Sequence, residues 1–201
     1  MANLLFLISH NKVEKKLLTN EKLIEILYSN VIGDVNSIRA DFGFRAEYNP
    51  DSRVFNKKLG GGSLLDIGIY PIYLSLLVLG YPLEISAMAR FAETGVDSFC
   101  AMLFNYQNSA KAILESTTEA DTPIEAYIYG SKGHIKLHRR FHHSEKISLY
   151  LNGKPKQVFE LNYTGEGYYH EIEEVNNCLV NGEIESGKLP LSTSLKLINI
   201  I

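Results

Sequence analysis

The first part of the chain shows two successive spacings of hydrophobic positions. Residues 11–28 place apolar side chains at roughly helical intervals among Lys and Glu, which predicts a helix with one charged face. Asn30 and Gly33 follow it and are typical of residues that end helices. Residues 34–44 then alternate between apolar and polar side chains, so the pattern changes to that of a strand.

The next segment combines a polar loop with the most apolar stretch of the chain. Residues 47–58 are polar and contain a turn signal, Asn-Pro, so we expect a loop there. Three glycines, Gly60–Gly62, come before an apolar run to Leu79, which predicts a helix ended by Gly80. Because Pro71 has no N–H to donate, we expect this helix to kink there.

Beyond Tyr81 the sequence consists of short β-prone runs separated by turn residues. This regular spacing predicts successive antiparallel strands rather than β-α-β units. Asn152-Gly153 is typical of a two-residue hairpin turn. The predicted strands are residues 85–93, 97–106, 110–118, 124–130, 134–138, 146–151 and 157–161.

Helical periodicity returns in residues 167–179, with Gly182 after them, and Ser192 is a candidate cap for a last helix. Helices, then about seven strands, then helices predict an α+β fold on a largely antiparallel sheet. We expect residues 1–30 to form an N-terminal helical lead-in and residues 31–201 to form the α+β domain.

The composition of the chain excludes several classes of binding partner. The chain has 201 residues, of which 45% are hydrophobic, and 20 Lys+Arg against 23 Asp+Glu give a net charge of −3. That balance provides no field to hold a polyanion, so we expect no nucleic-acid partner. The longest run without charge, Ile67–Leu83, is shorter than the roughly 20 residues of a membrane-spanning helix, so we expect no membrane partner. Two cysteines, Cys100 and Cys178, are too few for a disulfide framework, so we expect free thiols in a cytoplasmic protein.

Nucleotide-binding and hydrolase motifs are missing. No G-x-G-x-x-G and no G-x-x-x-x-G-K-[ST] occurs, so the chain carries no dinucleotide or nucleotide fingerprint. The glycine cluster also fails the nucleophile-elbow pattern G-x-S-x-G, which gives a serine hydrolase no support.

The densest cluster of chemistry is Asp66 and Tyr70, four residues apart and therefore on one face of a helix. A carboxylate and a phenol among apolar residues are costly unless they bind partners or a ligand. Tyr70 could donate or relay a proton while Asp66 fixes the orientation of a hydroxyl or carbonyl, and Gly60–Gly62 could let a ligand approach free backbone N–H groups. Alternatively the glycines form a tight loop, Asp66 caps locally and Tyr70 reaches the surface.

Two further features have both a functional and a structural interpretation. His134, His138, His142 and His143 lie close in sequence and could bind a metal, but the arginines among them favour a solvated basic strand end. Arg53, in the loop before the glycines, could hold an anionic group of a substrate or form a surface ion pair.

Several motifs in the expected order resemble the Gfo/Idh/MocA family, the glucose–fructose oxidoreductase and inositol dehydrogenase group, and above all its dihydrodiol-dehydrogenase-like members. The resemblance extends over nearly the whole chain from about residue 11. The matching stretches are IGDVNSIRADFGF (32–44), GGGSLLDIGIYPIYLSLLVLG (60–80), TGVD (94–97), IYGSKGHIKL (128–137) and GYYHEIEEVNNCLVNGEIES (167–186).

The resemblance implies that this chain is the family's C-terminal domain alone, an open antiparallel sheet with helices on one face, without the Rossmann domain and its catalytic lysine. NAD or NADP would then serve the complete enzyme, with none bound to this chain alone. By the same resemblance Asp66 would orient the substrate and the lysine, Tyr70 would assist proton transfer, Gly60, Gly61 and Gly62 would edge the nicotinamide, and no metal is implied.

The resemblance also implies a substrate and a partner. The substrate would be a sugar, polyol or cyclic diol, and a second copy would pack on the open sheet face. We expect Tyr127, Tyr129, Ile135 and Leu137 to form one exposed patch there. The leading hypothesis is the substrate-binding and dimerisation domain of an NAD(P)-dependent oxidoreductase, inactive alone; the alternative is a non-catalytic binding and oligomerisation module of the same fold.

Overall fold

The computed structural model describes residues 13–161 and 169–201. The helices found there are α1 (Val13–Tyr28), α2 (Ile69–Leu79), α3 (Tyr169–Val180) and α4 (Leu191–Ile200). The strands are β1 (Val35–Gly43), β2 (Glu84–Phe91), β3 (Asp97–Asn105), β4 (Lys111–Thr117), β5 (Ala126–Gly130), β6 (Gly133–Leu137), β7 (Lys146–Leu151) and β8 (Lys154–Glu160).

The eight strands form one sheet in the order β2-β3-β4-β1-β5-β6-β7-β8. The prediction of a largely antiparallel sheet is confirmed, and the seven strands predicted after Tyr81 are present. Strands β1 and β4 form a parallel pair in this sheet, with Ser37–Gly43 beside Lys111–Thr117. A parallel neighbour needs a long crossover, and the connection from β1 to β4 contains α2 and the β2–β3 hairpin.

The core lies on the helix side of the sheet. Alternate residues of β1 point into it, with Ile38 fully buried, Ala40 buried and Arg39 between them exposed. Helix α2 packs against β1 and β4. Its residues from Pro71 to Leu76 are all buried, so α2 is the central helix of the core.

Helix α1 joins the same core. Leu23 is fully buried, and Ile26 is buried beside it among the core residues. Asn30 and Gly33, predicted to end this helix, both have positive φ, at 53° and 69°. The proposed boundary at residue 30 stays a prediction, and residues 1–12 of the predicted lead-in lie outside the described residues.

The predicted helix after the glycines begins as a π-helical segment, Leu64–Gly68, and continues as α2. Pro71 lies in the first turn of α2, directly after this change. Because Pro71 cannot donate to the carbonyl of Ile67, the regular α-helical bonding is interrupted at this point. The structure thus shows a change of helix type just before Pro71, and the predicted kink stays a prediction.

Local signals at the other end of the chain are confirmed once and corrected once. Asn152 and Gly153 both have positive φ, 51° and 73°, as a tight hairpin turn between β7 and β8 requires. The prediction that Ser192 caps the last helix is wrong, because α4 begins at Leu191 after an extended Pro190. The carboxylate of Glu185 accepts a hydrogen bond from the Leu191 N–H at 2.6 Å. It thus caps the helix, the role predicted for the Ser192 hydroxyl.

The expected patch on the open sheet face is wrong in two of its members. Ile135 and Leu137 are buried in the core, because β6 pairs Ile135 with Ile128 and so turns it toward the helices. Tyr127 and Tyr129 face the other way, and their rings stack at 6.0 Å between centroids.

Two expectations about the whole chain concern the membrane and the cysteines. One helical stretch, Lys57–Leu79, is long and apolar enough to pass for a membrane span, yet 56% of its most apolar window is buried within the domain. That burial is typical of a core helix such as α2. Cys100 and Cys178 are both free thiols, as predicted, and both are buried.

Candidate functional site

The site is built around the π-helical start of α2. Asp66 lies in that segment, and its side chain is only 12% exposed. Arg53 reaches it from the preceding loop, with Nη1–Oδ1 at 2.6 Å and Nη2–Oδ2 at 3.0 Å. Two parallel charge-assisted bonds of this kind fix the plane of a carboxylate as well as its charge. Of the two interpretations of Arg53, the structure therefore shows the ion pair.

Tyr70, in the first turn of α2, lies in a cluster of rings. Its ring centroid is 5.3 Å from that of Phe42 and 4.6 Å from that of His142. Phe42 and His142 also stack on each other at 4.8 Å. Tyr70 is thus half-buried and held by two rings rather than extended to the surface.

Arg53 connects Asp66 with Tyr70. The hydrogen bonds that Arg53 donates to Asp66 raise the pKa of its guanidinium above the usual value, and the negative charges of Asp66 and of an ionised Tyr70 raise it further, against the effect of burial. The guanidinium is therefore positive throughout the physiological range. The carboxylate that it holds lies four residues before the Tyr70 phenol in the same helical segment.

A second acid, Asp97, fixes the start of the helical segment. At the first position of β3, its Oδ2 accepts the Ser63 hydroxyl at 2.6 Å and the Leu64 N–H at 2.7 Å. Ser63 is fully buried, and its Oγ also lies 3.0 Å from Oγ of Ser116. These bonds tie the helix start to β3 and β4, and so set the direction in which Asp66 points.

The three glycines do not offer free backbone N–H groups, contrary to our expectation. The N–H groups of Gly60, Gly61 and Gly62 donate to the carbonyls of Lys57, Asn56 and Val54 at 3.2, 3.0 and 2.9 Å. The alternative of a tight loop is thus the one the structure supports. The other half of that alternative fails, because Asp66 binds Arg53 instead of capping its own helix.

Close packing explains why two of these positions are glycine. A Cβ on Gly61 would lie 2.6 Å from the Val54 carbonyl oxygen, and one on Gly62 would lie 2.3 Å from Oδ1 of Asp97. Gly62 also has a φ of 118°, which L-residues rarely adopt. Gly60 is exposed with open space around its Cβ position, so it is the glycine that a ligand could approach.

The histidine cluster of the sequence is dispersed in the fold. His134 stacks on Tyr150 at 4.5 Å between centroids, and Nε2 of His138 lies 2.8 Å from Oγ of Ser148. His142 packs on Tyr70, and His143 is buried behind it. Across residues 13–161 and 169–201, no three His, Cys, Asp or Glu side chains come together as metal ligands.

Three residues around the site carried no functional assignment from the sequence. Phe42 and His142 approach Tyr70 from β1 and from the turn after β6, and Asp97 approaches the helix start from β3. Asp97 ends the TGVD motif, and Phe42 lies within IGDVNSIRADFGF, so both belong to stretches that already carried the family resemblance. His142 offered only the histidine cluster, for which a solvated basic strand end was the favoured interpretation and metal binding the alternative.

Comparison with known proteins gives a consistent result. Residues 20–136 match the GFO/IDH/MocA C-terminal domain. The chain is 34% identical over 191 residues to trans-1,2-dihydrobenzene-1,2-diol dehydrogenase of Xenopus tropicalis, covering 90% of this chain and 56% of that protein. The human protein of the same name is 30% identical over 189 residues, with the same shares covered. The chain thus spans about half the length of these relatives.

Solved structures show the same fold. An aldose-aldose oxidoreductase from Caulobacter crescentus, complexed with glycerol, superposes with a TM-score of 0.76 at 21% identity over 90% of this chain and 55% of that one. A 3-ketoreductase from Actinomadura kijaniata, in complex with NADP, gives 0.75 at 24% identity over 91% and 57%. Together with the domain match and the dehydrogenase relatives, this shows that the chain belongs to the Gfo/Idh/MocA family of oxidoreductases, through that family's C-terminal domain.

Proposed function

We propose that this chain is the substrate-binding and dimerisation domain of an NAD(P)-dependent oxidoreductase that acts on a sugar, a polyol or a cyclic diol. The observation that carries the proposal is that Arg53 fixes the Asp66 carboxylate four residues before Tyr70, in the helical segment at the start of α2. Relatives named dihydrodiol dehydrogenases, at 30–34% identity, support the diol among these substrates.

The residues divide the work as follows. Tyr70 gives a proton to, or takes one from, the substrate oxygen as the carbon beside it is reduced or oxidised. Arg53 keeps the Asp66 carboxylate oriented, so that Asp66 accepts a hydrogen bond from a substrate hydroxyl. Phe42 and His142 limit the rotation of the Tyr70 ring, which keeps its hydroxyl in one direction.

The fit of this chain to NAD(P) is partial. The nicotinamide supplies or accepts the hydride when it is bound. The sequence has no dinucleotide fingerprint, and the glycine N–H groups that could hold a diphosphate are used within their own loop. We therefore propose that Gly60, and behind it Gly61 and Gly62, form only a wall beside the nicotinamide, and that the chain is inactive without a cofactor-binding domain.

The test is a fusion of this chain to the part of the Xenopus tropicalis dehydrogenase that it does not match, assayed with NADP⁺ and trans-1,2-dihydrobenzene-1,2-diol. Tyr70→Phe should lower kcat by about 100-fold or more, the usual contribution of a general acid or base. Tyr81→Phe, at an exposed tyrosine, is the control and should leave kcat unchanged. An active fusion with unchanged kcat in Tyr70→Phe would refute the assignment and favour the non-catalytic module.

The open face of the sheet supports the proposed homodimer. Leu103 and Ile113 are paired across β3 and β4, and they are 41% and 48% exposed. Met88 on the edge strand β2 and the stacked Tyr127 and Tyr129 extend this apolar surface. Ile113→Asp together with Leu103→Lys should convert a dimer to a monomer in light scattering. A wild-type chain that is monomeric at micromolar concentration would refute the dimer.

A further inference from the structure

A basic cavity of about 430 Å³ opens beside the turn that follows β6. Its described lining residues are Arg139, Arg140, His143 and Glu145. The two arginines are exposed at its rim, whereas His143 is only 4% exposed. The cavity thus has two guanidinium groups at its entrance and an imidazole in its wall.

The turn that lines the basic cavity is held in place by backbone bonds. The His143 N–H donates to the Arg140 carbonyl at 2.8 Å, and the Phe141 N–H donates to Ile124 at 3.1 Å. The hydroxyl of Thr19, on α1, donates to the Ser144 carbonyl at 3.0 Å. Arg140 itself has a left-handed backbone, with φ at 58°, a conformation that costs free energy for a residue with a Cβ. Arg139 and Arg140 therefore extend from a turn whose backbone is held in place by hydrogen bonds.

The charges of the basic cavity favour an anion. Among the side chains of residues 19–161 and 172–201, neither Arg139 nor Arg140 has a carboxylate within ion-pairing distance, whereas Arg53 and Arg90 both have one. Two guanidinium groups face one carboxylate, Glu145, in a chain whose net charge is −3. Neighbouring arginines with free donors are the usual receptors for phosphate and carboxylate groups.

The basic cavity adjoins the proposed catalytic site. The His143 ring, in the cavity wall, lies 4.3 Å between centroids from the His142 ring, and the His142 ring lies 4.6 Å from that of Tyr70. A single ring thus separates the cavity wall from the phenol. The basic cavity and the ring cluster around Tyr70 are therefore neighbours in the fold.

We infer that the basic cavity is a subsite for an anionic group of the substrate, a phosphate or a carboxylate, held by Arg139 and Arg140. This inference rests on the proposed function and adds an anionic substituent to the preferred substrate, so the neutral diol of the fusion assay would leave the subsite empty.

The test measures binding to the ¹⁵N-labelled chain by NMR at fixed ionic strength, with inorganic phosphate in one titration and acetate in another. We expect saturable shifts of the amides of residues 138–146 with a Kd on the order of 1 mM, as a few charge-assisted hydrogen bonds provide. The anion that binds more tightly identifies the group. No saturable shift with either anion would refute the subsite.

Variants assign the binding to the cavity. Arg139→Gln with Arg140→Gln should weaken binding about tenfold or more. Arg45→Gln with Lys111→Gln removes the same charge from two exposed positions elsewhere and should leave the Kd unchanged. Equal losses in both pairs would show a general charge effect and refute the subsite.

Glu145→Gln provides a test of opposite sign. Removing the Glu145 carboxylate, the only one among the described lining residues, should tighten phosphate binding several-fold, and equal or weaker binding would show that the anion does not enter. Because anion binding requires no hydride transfer, failure here leaves the Tyr70 assay of the proposed function intact. A failed Tyr70 assay, in turn, leaves the anion titration interpretable.

Discussion

Arg53 and Asp66 form a two-point ion pair in which each guanidinium nitrogen of the fork meets one carboxylate oxygen, at 2.6 and 3.0 Å. The arginine is 56% exposed, and the carboxylate is 12% exposed. An exposed cation therefore orients a nearly buried anion from the solvent side. The pair has little value for stability at such exposure, and its geometry is what matters to the site.

Arg53→Lys should separate orientation from charge. Lysine keeps the positive charge but cannot make the parallel pair of bonds, so Asp66 should lose its fixed plane. We expect kcat of the fused enzyme to fall about tenfold, while the free energy of unfolding changes by less than about 1 kcal/mol. Urea unfolding and steady-state rates measure the two effects. Arg45→Lys is the control, and equal rates in both variants would contradict the role of Arg53.

The two ends of the glycine triplet should respond differently to alanine. Gly60 and Gly62 both have positive φ, 74° and 118°, but only a Cβ on Gly62 meets another atom, Oδ1 of Asp97 at 2.3 Å. Gly60→Ala should cost about 1 kcal/mol from backbone conformation alone. Gly62→Ala should cost about 2 kcal/mol more in urea unfolding, because the helix start must move as well. Equal losses would show that the contact with Asp97 has no energetic weight.

Features set by neighbouring residues could be predicted from the sequence. Asp66 and Tyr70 lie four residues apart in one helical segment, so their spacing could be read directly, and Asn152-Gly153 defines its turn by its own backbone preferences. Helix boundaries followed the same local rules except at α4. There, Glu185 caps the helix from six residues before Leu191. The sequence rules for helix caps consider the residues directly at the helix start, so they do not predict a cap from that position.

Long-range pairing determined what the sequence could not show. His142 and Phe42 reach Tyr70 only because β1 inserts between β4 and β5, a register that alternation of hydrophobic residues does not encode. The same limit misplaced Ile135. Alternation separates the two faces of a strand, but only the pairing with Ile128 shows which face meets the helices.

Asp97 should stabilise the fold through the helix start. Asp97→Ala removes the acceptor of the Ser63 hydroxyl and the Leu64 N–H, both at the partly buried start of the helical segment. We expect a loss of about 1–3 kcal/mol in the free energy of unfolding. Asp51→Ala, at an exposed loop position, should change it by less than about 0.5 kcal/mol. A loss no larger in Asp97→Ala than in Asp51→Ala would contradict the capping role.

His138 should make stability depend on pH. Burial, followed by the charges of Lys136 and Lys146, lowers the pKa of His138 from its usual 6.5. In the unfolded chain His138 binds a proton near pH 6.5, whereas in the folded chain it binds one only at lower pH. The free energy of unfolding therefore decreases as the pH falls below about 6.5. His138→Gln can still bond Ser148 without titrating, and its urea midpoint should vary less between pH 7 and about pH 5. An unchanged pH dependence in this variant would assign the effect to other groups.

His142 should matter to Tyr70 through its ring. His142→Phe keeps an aromatic ring between Phe42 and Tyr70, at 4.8 and 4.6 Å in the wild type, whereas His142→Ala removes it. We expect the alanine variant to lower kcat of the fused enzyme about tenfold, because the phenol loses its fixed direction.

The phenylalanine variant should recover most of that loss of kcat if His142 acts only by packing against Tyr70. If it does not, the imidazole itself takes part in moving the proton, and the pH profile of kcat should then lose one ionisation in His142→Phe. A kcat equal to that of the wild type in His142→Ala would remove His142 from the site altogether.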